Sequence, residues 1–185
     1  RGAEAEVTDA RPVANESPLR LTLAQGIARG DKMDLVLQKG TELGVAAFVP
    51  VNTERTEVKL DAERTAKRLA HWQGILAAAC EQSGRARLPR LGEPVSLANY
   101  AVAENAPVKL VLDPQAGLGL HDLALPAAAE VALLVGPEGG LSERDLAAAR
   151  AAGFTGLRLG PRILRTETAG LAAIAALQAL YGDLA

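Results

Sequence analysis

Short, largely apolar runs alternate along the chain with longer stretches in which apolar residues recur every three or four positions. Residues 45–51, 108–113 and 131–135 are runs of the first kind, and residues 61–83 and 142–152 are stretches of the second kind. Continuous apolar runs are typical of strands buried on both faces, whereas the longer spacing is typical of helices. Because the two kinds alternate, the sequence predicts an α/β fold with a parallel sheet.

Capping residues and glycines mark the ends of the predicted helices. Asp31 is placed to cap a helix that Gly44 ends, because a side-chain oxygen accepts bonds from the first turn and glycine tolerates positive φ. Ser142, with an acidic residue three positions later, has the pattern of a capping box, and Gly153 ends that helix. Residues 166–181 predict a last helix that is apolar around nearly its whole circumference.

Two glycine-rich loops follow two of the predicted strands. GPEGG follows the strand at 131–135, and GPRILRTET follows a short predicted strand at 156–160 and leads into the last helix. The carboxyl ends of neighbouring parallel strands are where open α/β sheets bind ligands. Neither loop has the spacing of a dinucleotide or triphosphate cradle. Tight turns alone would also explain the glycines, but two arginines and a glutamate in the apolar surroundings of the second loop favour a ligand site.

The composition narrows the classes of function. With 185 residues, 49% of them hydrophobic, the chain can bury one substantial core, and its net charge of −2 gives no general attraction for nucleic acid. The single cysteine, Cys80, excludes an intrachain disulfide and lies on the apolar stripe of a predicted helix, which predicts an inert core residue. No run approaches the roughly twenty apolar residues of a membrane span, and no histidines or cysteines cluster as metal ligands. We therefore expect a cytoplasmic protein with no membrane and no metal partner.

One segment is locally basic despite the acidic net charge. Arg85, Arg87 and Arg90 lie within six residues, around Gly84 and Pro89. Arginines in a loop can hold phosphates through bidentate hydrogen bonds. A short basic loop that is merely solvated is the alternative, and charge alone favours that alternative.

Several motifs together resemble one known family. LVGPEGGLSERD, followed by LGPRILRTETAGLAAIAALQ, resembles the signature of the SPOUT methyltransferases, and within them of the RsmE-type enzymes that methylate N3 of a uridine in 16S ribosomal RNA. QKGTELGV, TERTEV and ACEQSGRARLP occur upstream at family-like spacings. The resemblance extends from about Leu21 to the end of the chain.

The resemblance implies a specific architecture. It implies a parallel sheet flanked by helices with a C-terminal trefoil knot, in which the two glycine loops and the loop after Asp113 are the knot loops. Residues 1–23 would be the remnant of an N-terminal PUA-like β-barrel with its linker, and residues 24–185 the SPOUT domain. Such proteins pair as homodimers through the knot region, a role that the apolar helix at 166–181 fits. Burial of that helix inside a monomer would explain the same composition.

The resemblance also implies S-adenosylmethionine as cofactor, bound mainly by backbone groups of the two loops. Side chains at these positions therefore matter chiefly by being small or absent. The candidate cofactor residues are Leu112, Leu133, Gly136, Gly139, Gly140, Leu159, Gly160, Ile163, Leu164 and Thr166.

The expected reaction assigns roles to four charged residues. N3 of uridine is a poor nucleophile until its proton leaves, and negative charge then spreads to the uracil oxygens. Arg165 and Arg162 are the candidates for stabilising that charge. Glu138 or Glu167 could take the proton, but each could equally pair with an arginine. The sequence leaves that choice open.

The expected partner is ribosomal RNA or the small ribosomal subunit. With the resemblance, Arg85, Arg87 and Arg90 become candidates for contacting that RNA. Two alternatives remain: a SPOUT methyltransferase for another nucleotide of ribosomal or transfer RNA, and a non-catalytic RNA-binding module of the same fold. The intact glycines argue against the second alternative, because a degenerate pocket would carry bulky or charged replacements there.

Overall fold

The computed structural model describes residues 4, 6–57 and 62–184, which form seven strands and five α-helices. The elements are β1 (Arg20–Gly26), α1 (Lys32–Glu42), β2 (Ala47–Asn52), α2 (Ala62–Ser83), β3 (Arg90–Leu91), β4 (Val95–Ser96), α3 (Leu97–Ala103), β5 (Val108–Leu112), β6 (Glu130–Val135), α4 (Glu143–Ala151), β7 (Thr155–Leu157) and α5 (Thr166–Tyr181). A 3₁₀ turn at Leu120–Asp122 lies between β5 and β6.

The strands form one sheet in the order β3-β2-β1-β6-β5-β7, and β4 also pairs with β2. Every pairing between these strands is parallel. In the centre, β1 pairs with β2 on one side and with β6 on the other, with Gln25 opposite both Pro50 and Val135. The carboxyl ends of β1, β6, β5 and β7 therefore meet at one edge of the sheet.

Helices pack on both faces of this sheet and produce two apolar cores. The larger core joins Leu23 of β1 to Trp72 of α2 and Ile174 of α5, and it also contains residues of α1. The smaller core joins Leu134 of β6 to Tyr100 of α3 and Leu146 of α4. The predicted α/β fold with a flanked parallel sheet is thus confirmed, while the trefoil knot stays a prediction.

The start of the sheet differs from the sequence prediction. β1 begins at Arg20, inside the segment at 1–23 that was assigned to the barrel remnant and its linker. Its side chains at Leu21, Leu23 and Ala24 are fully buried because the strand lies in the middle of the sheet, with helices on both faces. The sheet therefore begins at least four residues before the predicted division between residues 23 and 24.

Two further local predictions change in detail. The strand expected at 156–160 is shorter and ends at Leu157, which leaves Leu159 and Gly160 to the following loop. Asp31 occupies the N-cap of α1 but makes no side-chain capping bond. The capping box of α4 forms as predicted, because Ser142 and Asp145 exchange side-chain-to-backbone hydrogen bonds of 3.0 Å each.

Candidate functional site at the carboxyl edge of the sheet

A cavity of about 490 Å³ lies where β5, β6 and β7 end. Its walls come from the end of β5, the GPEGG loop, the loop between β7 and α5, and the first turn of α5. It brings together most of the residues predicted for cofactor and substrate: Leu112, Gly136, Glu138, Gly139, Gly140, Leu159, Gly160, Arg162, Ile163, Leu164, Arg165 and Thr166. The two glycine loops thus meet at one site, as their positions after parallel strands predicted.

Two predicted residues do not line the cavity. Leu133 is fully buried inside the sheet, because it lies two residues before the end of β6 and pairs with Leu23 and Leu110. Glu167 is half-buried on the first turn of α5, and its buried Oε2 has no hydrogen-bond partner among the described residues. The structure therefore removes both side chains from the list of groups that face the site.

The cavity also contains residues that the sequence analysis did not select. Lys32 opens α1, and Asp113 directly follows β5. The carboxyl-end rule for parallel strands would have found Asp113. Its side chain is already engaged, since it is 4% exposed, accepts a 2.8 Å bond from Arg150 Nη2 and accepts a 2.9 Å bond from the amide of Gln115.

Tight packing fixes the shape of the GPEGG loop. A β-carbon on Gly26, at the end of β1, would lie 2.5 Å from Pro137 Cδ, which is closer than real side chains come. A β-carbon on Gly136 would lie 3.0 Å from the backbone of Gly140 and Leu141. Gly140 has φ +69° and donates a 2.9 Å backbone bond to Pro137, closing the turn. These glycines are therefore required by close approach and by backbone conformation, and the glycine positions of the loop expose bare backbone to the cavity.

A buried amide connects the two loops. Gln25 is fully buried, and its Nε2 donates to Thr166 Oγ1 at 2.8 Å, to the Gly26 carbonyl at 3.0 Å and to the Gly136 carbonyl at 3.3 Å. Thr166 Oγ1 in turn donates to the Gly136 carbonyl at 2.6 Å. Three acceptor oxygens around one amide nitrogen fix the orientation of the amide. The end of β1, the first glycine loop and the start of α5 are thus held as one unit.

Glu138 is ion-paired at the rim of the cavity. Its Oε1 accepts a 3.0 Å bond from the backbone amide of Arg29 and a 3.2 Å bond from Lys32 Nζ. Partial burial favours the protonated acid, but the amides of Arg29 and of Glu138 itself, together with Lys32, outweigh that effect and lower the pKa of Glu138 below its ordinary value. A carboxylate stabilised in this way is a weak base.

Arg162 and Arg165 differ from Glu138 because their side chains have no partner among the described residues. Both are exposed at the cavity, and neither side chain makes a hydrogen bond or ion pair with any part of the chain that the structure describes. The sequence analysis left open whether Arg165 pairs with Glu138 or Glu167, and no such pair forms. Two permanently charged donors therefore remain available to a ligand at this site.

The predicted RNA-binding arginines lie elsewhere. Arg85 has a side chain only 6% exposed, which pairs with Glu16 at 2.5 Å and donates 2.9 Å bonds to the carbonyls of Thr41 and Val45. The structure therefore does not support phosphate contact by Arg85, because its donors satisfy the end of α1 and the segment before β1. Arg87 and Arg90 are exposed, but neither lines the cavity.

The described residues contain no group of three His, Cys, Asp or Glu side chains placed to hold a metal ion. Within the described residues, no helix is long and apolar enough to cross a membrane. Cys80 is buried as predicted, with its thiol 3.6 Å from the Arg87 carbonyl, and burial raises the pKa of that thiol.

Comparison with known proteins assigns the chain to a family. The family model described as an RNA methyltransferase domain matches residues 15–178, which includes every wall of the cavity. The chain belongs to this RNA methyltransferase family. The family assignment confirms the resemblance seen in the glycine-loop motifs.

Individual members of the RNA methyltransferase family are similar to this chain over most of its length. Ribosomal RNA small subunit methyltransferase E of Buchnera aphidicola subsp. Schizaphis graminum is 37% identical over 171 residues, which cover 91% of this chain and 69% of that protein. The crystal structure of the enzyme of the same name from Neisseria gonorrhoeae, bound to S-adenosyl methionine, is 46% identical with a TM-score of 0.86 and covers 92% of this chain and 70% of that one.

A methyltransferase from Legionella pneumophila, also in complex with the cofactor, is 44% identical with a TM-score of 0.90 and covers 93% of this chain and 71% of that one. This chain thus spans about two thirds of the length of the family members it matches. The agreement with these structures covers more than nine tenths of this chain, so the parallel-sheet fold is that of the family.

Proposed function

We propose that this protein is an S-adenosylmethionine-dependent methyltransferase that modifies N3 of one uridine in the 16S RNA of the small ribosomal subunit. The observation that carries the proposal is a cavity that both glycine loops line, within a chain of the RNA methyltransferase family. The cofactor and the ribosomal RNA named for the relatives support it.

The cavity fits the cofactor in size and in lining. Its volume of about 490 Å³ lies within the range of roughly 300 to 1,000 Å³ for small-molecule sites. Leu112, Leu159 and Leu164 offer apolar surface for a planar base, and the bare backbone of the glycine loops offers hydrogen-bonding groups without side chains in the way. When bound, S-adenosylmethionine supplies an activated methyl group on a positively charged sulfur.

The protein's own residues orient the target base and manage its charge. Arg165 and Arg162 line the cavity, and in this proposal they hold the negative charge that develops on the uracil oxygens as N3 loses its proton. Glu138 is engaged by Lys32 and has a lowered pKa, so we assign it to holding the rim of the cavity. Glu167 does not line the cavity and Asp113 is paired with Arg150, so in this proposal the proton passes to solvent water.

Replacement of Arg165 by alanine tests the proposal directly. Loss of one preorganised donor to a developing anion costs about 3 kcal/mol, so the rate of methyl transfer is expected to fall on the order of a hundredfold. Cofactor affinity should change little, because backbone groups supply it. The measurement is single-turnover methyl incorporation into unmethylated small subunits by the full-length protein, with calorimetry for the cofactor.

Arg158→Ala is the matched control, because Arg158 is exposed and lies outside the cavity. Equal rates for the two variants would refute the role of Arg165. Mass mapping of the product separates the remaining candidates: a methyl group on another nucleotide identifies a different substrate, and RNA binding without transfer identifies a non-catalytic module.

The proposal includes a homodimer acting in the cytoplasm, where ribosomal subunits are found. After Glu167, α5 carries no charged side chain, and Ala172, Ala179 and Leu180 are exposed on its outer face, Leu180 by 50%. Pairing through α5 would cover that face and place the partner beside the cavity. The origin of the residues before β1 in a PUA-like barrel likewise stays a proposal.

A further inference from the structure

We propose that a basic rim of Arg29 and Arg55, beside the cavity that Arg162 and Arg165 line, holds the phosphates of the RNA, and that the predicted loop at 85–90 does not. The inference rests on the proposed function, since it names the surface that presents the RNA to that site.

Three separate segments bring these four arginines together. Arg29 follows β1, and its backbone amide donates to Glu138 of the GPEGG loop at 3.0 Å. Arg55 follows β2, and its Nη1 donates to the Gly139 carbonyl at 2.9 Å. Arg162 and Arg165 line the cavity itself, in the loop before α5. All four arginines therefore line the cavity or contact the loop that lines it, although residues 29 and 165 are far apart in sequence.

Carboxylates neutralise only part of this charge. Glu57 pairs with Arg29 at 2.8 Å, and Glu138 pairs with Lys32. Arg55 donates a hydrogen bond to a backbone carbonyl and attracts the neighbouring Glu54, which is itself paired with Arg144. The side chains of the two arginines before α5 make no hydrogen bond or ion pair within the described residues. With Lys32, five cationic side chains lie at or beside the cavity, and the carboxylates there are Glu57, Glu138 and Asp113, the last of which is already paired with Arg150. The net charge of the whole chain is −2. A local excess of this kind attracts a polyanion even when the whole protein is acidic.

The 85–90 loop lies at the opposite edge of the sheet. Arg90 of β3 pairs with Ala47 at the start of β2. Ala47 also pairs with Thr22 of β1, and Thr22 pairs with Ala132 of β6, so these four residues lie at the same height in the sheet. The cavity begins at Val135, three residues further along β6, or about 10 Å at 3.3 Å per residue. β3 is also three strands away from β6, or about 14 Å sideways. A nucleotide inserted into the cavity therefore has its flanking phosphates near the rim and far from Arg90 of the same chain.

Two double variants with equal charge changes decide between the surfaces. Arg29→Gln with Arg55→Gln removes two charges from the rim, and Arg87→Gln with Arg90→Gln removes two from the loop. The measurement is the affinity of the full-length protein for unmethylated 16S ribosomal RNA across a range of salt concentrations.

Log affinity falls linearly with log salt, and each lost phosphate contact reduces the steepness of that fall by about 0.7 to 0.9. We expect the rim variant to reduce that slope by about 1.5 and to bind at least tenfold more weakly at low salt. The loop variant should match the unmodified protein.

Arg55 also touches the GPEGG loop, so the affinity for S-adenosylmethionine is measured for every variant. Arg55→Lys keeps the charge and should retain the salt slope of RNA affinity. Arg29→Gln alone leaves the Arg55–Gly139 bond intact and should still lower that salt slope. A lower slope in the loop variant with an unchanged rim variant would overturn the inference. If the unmodified protein binds neither the cofactor nor RNA, the proposed function fails, which is a different outcome from loss of RNA affinity with cofactor binding retained.

Discussion

The hydrogen bond between Gln25 and Thr166 predicts a measurable link between the stability of the protein and its cofactor site. Thr166→Val keeps the shape of the side chain and replaces the hydroxyl by a methyl group. It removes the 2.6 Å bond to the Gly136 carbonyl and the 2.8 Å bond from Gln25. The Gly136 carbonyl keeps the 3.3 Å bond from Gln25, whose amide also keeps the Gly26 carbonyl. Neither buried partner is therefore left wholly unsatisfied.

The expected magnitude follows from that count. Two neutral hydrogen bonds contribute about 1 kcal/mol each, so Thr166→Val should cost about 2 kcal/mol of unfolding free energy. For a chain of this size, 1 kcal/mol corresponds to about 2 to 4 °C in Tm, which gives a decrease of about 4 to 8 °C. If about half of this unfolding free energy, or about 1 kcal/mol, is lost because the GPEGG loop is less well ordered for cofactor binding, the affinity for S-adenosylmethionine should fall about fivefold.

Thr168→Val is the matched control on the same helix. Thr168 is exposed, and its side chain has no hydrogen bond among the described residues, so its Tm should change by no more than about 2 °C. Differential scanning calorimetry gives Tm, and titration calorimetry gives cofactor affinity. In a double-mutant cycle with Gln25→Met, we expect a coupling energy of about 1 kcal/mol. Equal melting of the two threonine variants and strict additivity in the cycle would refute the link.

Two further predictions concern stability and assembly. Arg85→Met should cost about 3 kcal/mol in chemical denaturation, because Glu16 loses its ion pair and keeps only the backbone amide of Arg87, and because the Val45 carbonyl loses its hydrogen bond. Arg87→Met should stay within about 0.5 kcal/mol, and equal effects would contradict the structural role of Arg85. Leu180→Glu should convert dimers into folded monomers in light scattering, while Leu88→Glu, at a similarly exposed leucine, should not. A dimer that persists in the Leu180 variant would place the interface elsewhere. Ile174 is unsuitable for this test because it is fully buried in the monomer core.

The sequence predicted most elements because their signals are local. The apolar run of β6, the capping box of α4 and the positive φ of Gly44 and Gly153 each depend on a few neighbouring residues. The position of the site was predictable for a related reason. Loops that follow parallel strands end at the same edge of a sheet, so two glycine loops after two such strands had to lie close together.

Whether an individual arginine is buried or exposed was not predictable in this way. Arg85 and Arg87 share one short basic segment, yet the first is buried and the second exposed. The difference arises from partners about 40 to 70 residues away in sequence, namely the carbonyls at the end of α1 and Glu16. A basic segment in sequence therefore indicates charge but not accessibility, and only the packing shows which arginines can reach a phosphate.

The same distinction explains why β1 matters for the site although none of its residues belongs to a glycine loop. Gly26 approaches Pro137 so closely that no side chain fits between them, and Gln25 holds the Gly136 carbonyl and Thr166 together. Both residues lie more than 100 positions before the loops they position. Local patterns located the two loops, but their mutual placement depends on a strand that the sequence analysis divided between two domains. Because β1 lies between β2 and β6, any change that shifts its register by one residue would exchange the buried Gln25 for Ala24 or Gly26. Neither residue can replace the amide's three hydrogen bonds, so the geometry of the cavity depends directly on the register of the central strand.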